Sequence, residues 1–216
     1  MMITLTKTKI MMTLFCAASL FSTGVSALTI TFDDINLGSG SNLEAPIPNG
    51  YQGLNWTNFH VVDTSSLTFP SGYPNADVSP SNVGFNGLTS PISFSSATPF
   101  LLQSGYFTSA FLDAQLLTVI GTGGAIPQTT SFLISPNAPT FVTFNWTGLT
   151  DVSFTPSGGL PRADFSLNGN HYFAVDNLTV SAVPEPSTLA LLGLGLGFVG
   201  LVVSRRLKSR APSLEH

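Results

Sequence analysis

The chain has 216 residues and a formal net charge of −4, and only 8% of its residues are charged, against about 25% in an average soluble domain. Hydrophobic residues make up 43%, with 17 Phe among them, which is enough to bury a core and excludes disorder for the bulk of the chain. A single Cys excludes a disulfide framework and a cysteine-ligated metal site, and the 7 Lys and Arg residues are too few for a nucleic-acid-binding surface.

The N-terminus has the pattern of a secretory signal peptide. Two lysines precede an apolar stretch at residues 10–21, and Val25, Ser26 and Ala27 supply small residues before a cleavage site. A permanent anchor is the alternative, but the stretch is short for a bilayer core of about 30 Å. We predict that residues 1–27 form a signal helix that is cleaved after Ala27.

Residues 28–182 are predicted to form one all-β domain, an antiparallel β-sandwich of jelly-roll-like form. Short apolar runs and alternations, separated by Gly, Pro, Asn and Ser, are typical of sandwiches and barrels. The predicted strands are 28–32, 54–62, 83–86, 92–95, 105–112, 116–121, 131–135, 140–146, 151–155 and 171–180. In the segment 140–146, the alternation places Val142, Phe144 and Trp146 on one face and Phe141 on the other.

The charges of this domain are strongly one-sided. Arg162 is its only basic residue, against nine acidic ones: Asp33, Asp34, Glu44, Asp63, Asp77, Asp113, Asp151, Asp164 and Asp176. One positive and nine negative charges give a formal net charge of −8. Such a domain is expected to attract cations and to be repelled by nucleic acid and anionic lipid.

Two acidic segments lie at the ends of the predicted sandwich. Asp33 and Asp34 follow the first strand, and Asp176 and Asn177 lie in the last. Terminal strands of sandwiches are frequently neighbours, so these oxygens are predicted to converge on a structural Ca²⁺, which prefers such ligands. In the alternative, Asp176 and Asn177 make a local turn hydrogen bond, and Asp33 and Asp34 are solvated.

The sequence offers few candidate catalytic motifs, and we predict no catalytic residue and no enzymatic activity. The chain has no G-x-S-x-G, H-E-x-x-H or P-loop motif. His60 with Asp63 three residues later is a possible base, but an ordinary strand histidine is the better interpretation. Adjacent Asp33 and Asp34 point to opposite faces of a strand, which does not suit the paired carboxylates of a glycosidase.

The aromatic residues indicate a sugar-binding role. Tyr51 and Tyr73 lie in segments rich in Gly, Pro and Asn, so we predict that they are exposed platforms on which sugar rings stack. Trp56 and Trp146 lie beside Phe and Leu in predicted strands and are assigned to the core.

Several segments of the domain loosely resemble a family of uncharacterised secreted sandwich domains of bacteria and fungi, often found beside sorting signals. They are Phe32-Asp33-Asp34-Ile35, the segment 46–56, Ser71-Gly72-Tyr73, and the segment 173–178. The resemblance implies a fold and no activity.

The C-terminus has three parts in order. Pro184, Glu185 and Pro186 precede an apolar stretch, which we predict to be a transmembrane helix at 187–204. A basic cluster of Arg205, Arg206, Lys208 and Arg210 follows, then a tail at 211–216. A buried helix is the alternative, but a basic flank is typical of the cytoplasmic end of a membrane span.

This order of motif, helix and basic cluster, at residues 183–210, resembles the PEP-CTERM sorting signal of Gram-negative bacteria. The resemblance implies that an exosortase, a membrane-embedded protease or transpeptidase, removes the helix near the motif. Signal peptidase and the secretion machinery are the other implied partners. The protein would pass through a single-pass inner-membrane intermediate and end in the outer envelope or outside the cell.

Genomes that carry this sorting system usually also make exopolysaccharide. We therefore expect a non-enzymatic surface or extracellular-matrix protein associated with exopolysaccharide. The alternatives are a secreted carbohydrate-active enzyme and a purely structural protein without a ligand.

Overall fold

The computed structural model describes residues 26–87, 92–165 and 170–182, which form twelve strands, two short 3₁₀-helices and one short α-helix. The strands are β1 (Ala27–Ile30), β2 (Glu44–Pro46), β3 (Asn55–Thr57), β4 (Phe59–Asp63), β5 (Asn82–Asn86), β6 (Ile92–Ser109), β7 (Leu112–Asp113), β8 (Gln115–Thr122), β9 (Gln128–Ile134), β10 (Thr140–Ser157), β11 (Leu160–Pro161) and β12 (Phe173–Ala182). The α-helix, α1, is Tyr73–Ala76, and the 3₁₀-helices are Tyr51–Gly53 and Thr64–Ser66.

Ten of these strands form one antiparallel sheet. Its order is β2-β4-β5-β12-β6-β10-β8-β9, with β1 beside β12 and β3 beside β6, while β7 and β11 form a separate pair. The predicted all-β, antiparallel class is confirmed, and the jelly-roll-like arrangement stays a prediction. Among the described residues, no helix has the length and apolar character needed to cross a bilayer. Most of the predicted signal helix and the whole predicted transmembrane helix lie outside the described residues.

The two longest strands, β6 and β10, bend the sheet onto itself. The first part of β6 pairs with β3 and with the second part of β10, and the later part pairs with β12 and the first part of β10. Register shifts in β10 between Thr143 and Asp151 mark the bend. Phe154 then faces Phe107 and Phe173 across the core, with ring centroids 5.8 and 6.1 Å away. This arrangement is consistent with a β-sandwich.

Two hydrophobic clusters hold the sheet. The main core lies between the two halves of the sheet, the parts on either side of the bend in β6 and β10. It includes Phe154, Phe94 and Phe107, each 0% exposed. The second cluster contains Tyr73 of α1, with Phe85 and Phe111. Burying each of these rings contributes about 1.5–3 kcal/mol to folding.

The strand boundaries differ from the predicted ones where the backbone tolerates an irregularity. The predicted segments 140–146 and 151–155 are one strand, because Asn145 and Gly148 adopt left-handed conformations at its register shifts. The predicted strand 54–62 is interrupted at Asn58, whose φ is 57°. Strands β2 and β11 were not predicted, since each has at most three residues and contains Pro.

The face alternation predicted for the start of β10 is confirmed. Phe144 is buried, Val142 and Trp146 are half-buried against the core, and Phe141 is 55% exposed on the other face.

Candidate functional site

The chain ends of the domain meet, as the sequence predicts. Strand β1 pairs with β12, with Ile30 opposite Leu178. Beyond β1, Asp33 Oδ1 accepts a hydrogen bond from the Asn82 N–H at 3.0 Å. In β12, Asp176 Oδ2 accepts from the backbone N–H groups of Val78 and Ser79 at 2.8 and 2.7 Å. Both carboxylates therefore anchor the segment that joins α1 to β5.

Asp176 is the most deeply buried of these carboxylates, with 0% exposure. Its Oδ1 also accepts the N–H of Asn177 at 2.6 Å, which is the local hydrogen bond of the alternative interpretation. Burial raises the pKa of the Asp176 carboxyl, and the bonds from the backbone N–H groups of Ser79, Val78 and Asn177 oppose that shift. Asn177 has a φ of 49° and lies where the register between β12 and β6 shifts.

The residues predicted to bind Ca²⁺ have N–H and O–H donors as partners. Asp34 accepts hydrogen bonds from the Tyr51 hydroxyl and the Gln52 amide, while Asp33 and Asp176 accept from backbone N–H groups. Across the described ranges, no group of three or more His, Cys, Asp or Glu side chains is placed to hold a metal ion. Calcium binding stays a prediction, and thermal melts in calcium and in chelator test it.

The two tyrosines predicted as exposed platforms occupy different positions. Tyr51 is half-buried, with its ring beside Phe32 and Trp56, and burial and the Asp34 bond raise its pKa well above the usual value. The exposed position predicted for Tyr73 is wrong. Its side chain is 4% exposed, because α1 places it within the second hydrophobic cluster. Trp56, at 6% exposure, belongs to the core as predicted.

Tyr73 lines a cleft of about 330 Å³ on the described surface. We call it the aromatic cleft. Its lining residues are Asn42, Glu44, Val62, Leu67, Phe69, Tyr73, Phe85, Gly87, Phe111 and Tyr172.

Five aromatic rings that pack against one another form one wall of the cleft. Phe111 lies at their centre and is 1% exposed. Its ring centroid is 6.3 Å from that of Phe69, 5.9 Å from Tyr73 and 6.0 Å from Tyr172. Tyr73 in turn lies 5.5 Å from Phe85. Phe69 and Tyr172 are the half-buried members, so they are the rings that a ligand can reach.

Asn42 and Glu44 supply the polar groups of the cleft. The Oδ1 of Asn42 accepts hydrogen bonds from the backbone N–H and the hydroxyl of Thr68, at 3.0 and 3.1 Å, which fixes the amide. Glu44 is exposed at the start of the edge strand β2. Burial, followed by the nearby Tyr172 and Glu44, raises the pKa of the Tyr73 hydroxyl.

The residues weighed as a catalytic base are engaged elsewhere. Asp63 Oδ1 accepts from the backbone N–H of Ser65 at 2.9 Å and caps the 3₁₀-helix Thr64–Ser66. His60 packs its ring against Phe85, with centroids 5.7 Å apart. These contacts give both residues structural roles.

Sequence reasoning found only part of this cleft. Phe85, Phe111 and Tyr172 fall in the predicted strands 83–86, 105–112 and 171–180. Their rings come together only because β5, β6 and β12 are neighbours in the sheet. No local pattern specifies that pairing.

Gly72 positions α1, and with it Tyr73, against the end of β6. Its N–H donates to the Ala110 carbonyl at 2.7 Å, and a Cβ there would clash with the Ser109 carbonyl and lie 2.7 Å from Pro136 Cβ. We expect Gly72→Ala to destabilise the fold by about 1–3 kcal/mol through this overlap. Gly124→Ala is the matched control, since its Cβ would lie 3.6 Å from the nearest atom. Equal denaturation midpoints for the two variants would contradict the argument.

Comparison with known proteins locates a sorting motif that, apart from Ala182, lies outside the described residues. A family model described as the PEP-CTERM protein-sorting motif matches residues 182–206. The match covers Pro184, Glu185 and Pro186, and it ends at Arg206, before the two remaining residues of the basic flank. The chain thus carries a PEP-CTERM sorting motif, as predicted.

Two further comparisons concern the whole chain. A search of curated proteins found no match. Among solved structures, the chain is similar to TmCBM61, solved in complex with β-1,4-galactotriose, at 9% identity and a TM-score of 0.36. That alignment covers 63% of this chain and 95% of the other.

Proposed function

We propose that this PEP-CTERM protein is exported, processed by an exosortase, and binds polysaccharide outside the cell without enzymatic activity. The sorting motif at 182–206 supports export with a C-terminal membrane anchor before processing. The predicted anchor helix, 187–204, lies entirely within that match. Exopolysaccharide is the proposed partner after processing.

The aromatic cleft is the observation that carries the binding proposal. Its volume of about 330 Å³ falls at the small end of the range of about 300–1,000 Å³ typical of small-molecule pockets. An aromatic face complements the apolar face of a pyranose ring, and Phe69 and Tyr172 offer such faces at the cleft. Asn42 and Glu44 add an amide and a carboxylate that hydrogen-bond sugar hydroxyls.

The carboxylate content of the cleft supports binding rather than hydrolysis. Glycosidases generally use two carboxylates that flank the scissile bond, about 5–9.5 Å apart. Among the lining residues of the cleft, Glu44 is the one carboxylate. A carbohydrate-active enzyme would need a second acidic residue there, so we propose a binding protein.

The sorting part of the proposal is tested on the secreted protein. Mass spectrometry of the mature form should detect no peptide from Leu189 onward, because processing removes the helix near Pro184–Pro186. Recovery of the mature protein in the inner membrane with an intact C-terminus would contradict it.

The binding part is tested on a glycan array with the secreted form. The wild-type protein should bind at least one class of oligosaccharide on the array. Phe69→Ala should weaken that binding by about tenfold or more, since stacking on an aromatic ring contributes a kcal/mol or more. Phe141→Ala, which removes an exposed ring on β10 outside the cleft, is the control. If the wild-type protein binds no glycan on the array, or if the two variants bind equally well, the proposal is overturned.

A further inference from the structure

We infer that the aromatic cleft recognises a protonated amine, so that its ligand is a polysaccharide with free amino-sugar units. This inference rests on the proposed function and narrows it to a ligand class. It is carried by the juxtaposition of the Glu44 carboxylate with the aromatic wall that includes Tyr73 and Tyr172.

Glu44 has no cationic partner within the described ranges. Both ion pairs found there belong to Arg162, which binds Asp113 at 3.4 Å and Asp164 at 2.7 Å. Arg162 also stacks over Phe165, 4.8 Å from the ring centroid, and is the only Lys or Arg between residues 28 and 182. The domain therefore holds its one basic side chain elsewhere and leaves the carboxylate of the cleft open to a cationic ligand.

The aromatic wall strengthens the preference for a cation. The faces of Tyr and Phe rings carry negative charge density and attract an ammonium group within about 6 Å. Glu44 lies close enough to Tyr73 to contribute to its raised pKa. An amino sugar can place its apolar ring face and its ammonium group on these two features at once. The hydrogen bond to the carboxylate is then charge-assisted and stronger than one from a hydroxyl.

The charge of the domain acts against the opposite ligand. A polysaccharide rich in uronic acids would bring carboxylates toward Glu44 and toward a domain of formal net charge −8. A fully N-acetylated chain avoids that repulsion but supplies no cation for Glu44. Of the three classes, the free amine is the one that the cleft complements in both charge and shape.

The test compares three probes on the secreted protein by calorimetry. They are a glucosamine oligosaccharide with free amines, an N-acetylglucosamine oligosaccharide of the same length, and choline. We expect the free-amine oligosaccharide to bind about tenfold or more tightly than its N-acetylated counterpart, and increased salt to reduce that advantage. Choline should bind weakly, because it supplies the cation without the sugar ring.

Glu44→Gln should abolish the preference for the free amine, while Asp151→Asn, which removes the same charge outside the cleft, should keep it. Equal affinity for the two oligosaccharides, or a preference that survives Glu44→Gln, would overturn the inference. If only the N-acetylated chain binds, the proposed function stands and only the inference that the cleft recognises a free amine is overturned. Choline binding as tight as the oligosaccharide would show that the ligand is a small cation and would overturn the sugar assignment.

Discussion

Replacing Phe154 with alanine should lower the free energy of unfolding by about 3–5 kcal/mol, the range for truncating a large buried aromatic side chain. Phe154 is 0% exposed, and its ring lies 5.8–6.1 Å from those of Phe59, Phe94, Phe107 and Phe173. These neighbours come from both halves of the bent sheet. A cavity at this point therefore removes contacts that hold the two halves together.

Chemical denaturation measures this effect, with Phe141→Ala as the control. Phe141 lies on the same strand and is 55% exposed, so its truncation should change the free energy of unfolding by well under 1 kcal/mol. Similar destabilisation in both variants would contradict the position of Phe154 between the two halves.

Asp176→Asn should destabilise the domain by about 2–3 kcal/mol, although the two side chains have nearly the same shape. Each carboxylate oxygen of Asp176 accepts from donors: Oδ2 from Val78 and Ser79, and Oδ1 from Asn177. An Asn side chain has a single acceptor oxygen, so its NH₂ group must face one set of these N–H groups. These N–H groups are part-buried beside the buried Asp176 side chain, so a donor left without its acceptor pays a desolvation penalty.

Glu44→Gln is the control for this substitution, since it makes the same chemical change at an exposed carboxylate. Its denaturation midpoint should match that of the wild type. An Asp176→Asn protein as stable as the Glu44→Gln protein would contradict the anchoring role of Asp176. Loss of the anchor should also raise amide exchange in the segment that joins α1 to β5, because that segment would open locally.

The sequence predicts that Asp33 and Asp176 converge on Ca²⁺; in the structure both carboxylates accept backbone N–H groups, and calcium binding stays a prediction. Pairing of terminal strands can be inferred from the sandwich pattern, and β1 does pair with β12. The partners of the two carboxylates come from the segment 77–82, which supplies the N–H donors. Its path is set by α1 and by contacts distant in sequence, so no local pattern distinguishes N–H donors from a cation.

The aromatic cleft was less accessible to sequence reasoning for a related reason. Gly, Pro and Asn around Tyr73 led to the prediction of an exposed ring, but the helix of four residues that begins there buries it. Glu44 lies outside every predicted strand, whereas in the structure it begins β2 and pairs with Val62 of β4. Both residues acquire their position in the cleft through tertiary packing, which composition and periodicity do not encode.

The most direct test of the central claim is to map the ligand on the protein by NMR. The secreted form is titrated with an oligosaccharide retained on the array, and backbone amide shifts are followed. Perturbations should concentrate at the residues that line the aromatic cleft, foremost Asn42, Glu44, Phe69 and Tyr172. Perturbations concentrated on another surface, or none at saturating oligosaccharide, would contradict polysaccharide binding in this cleft.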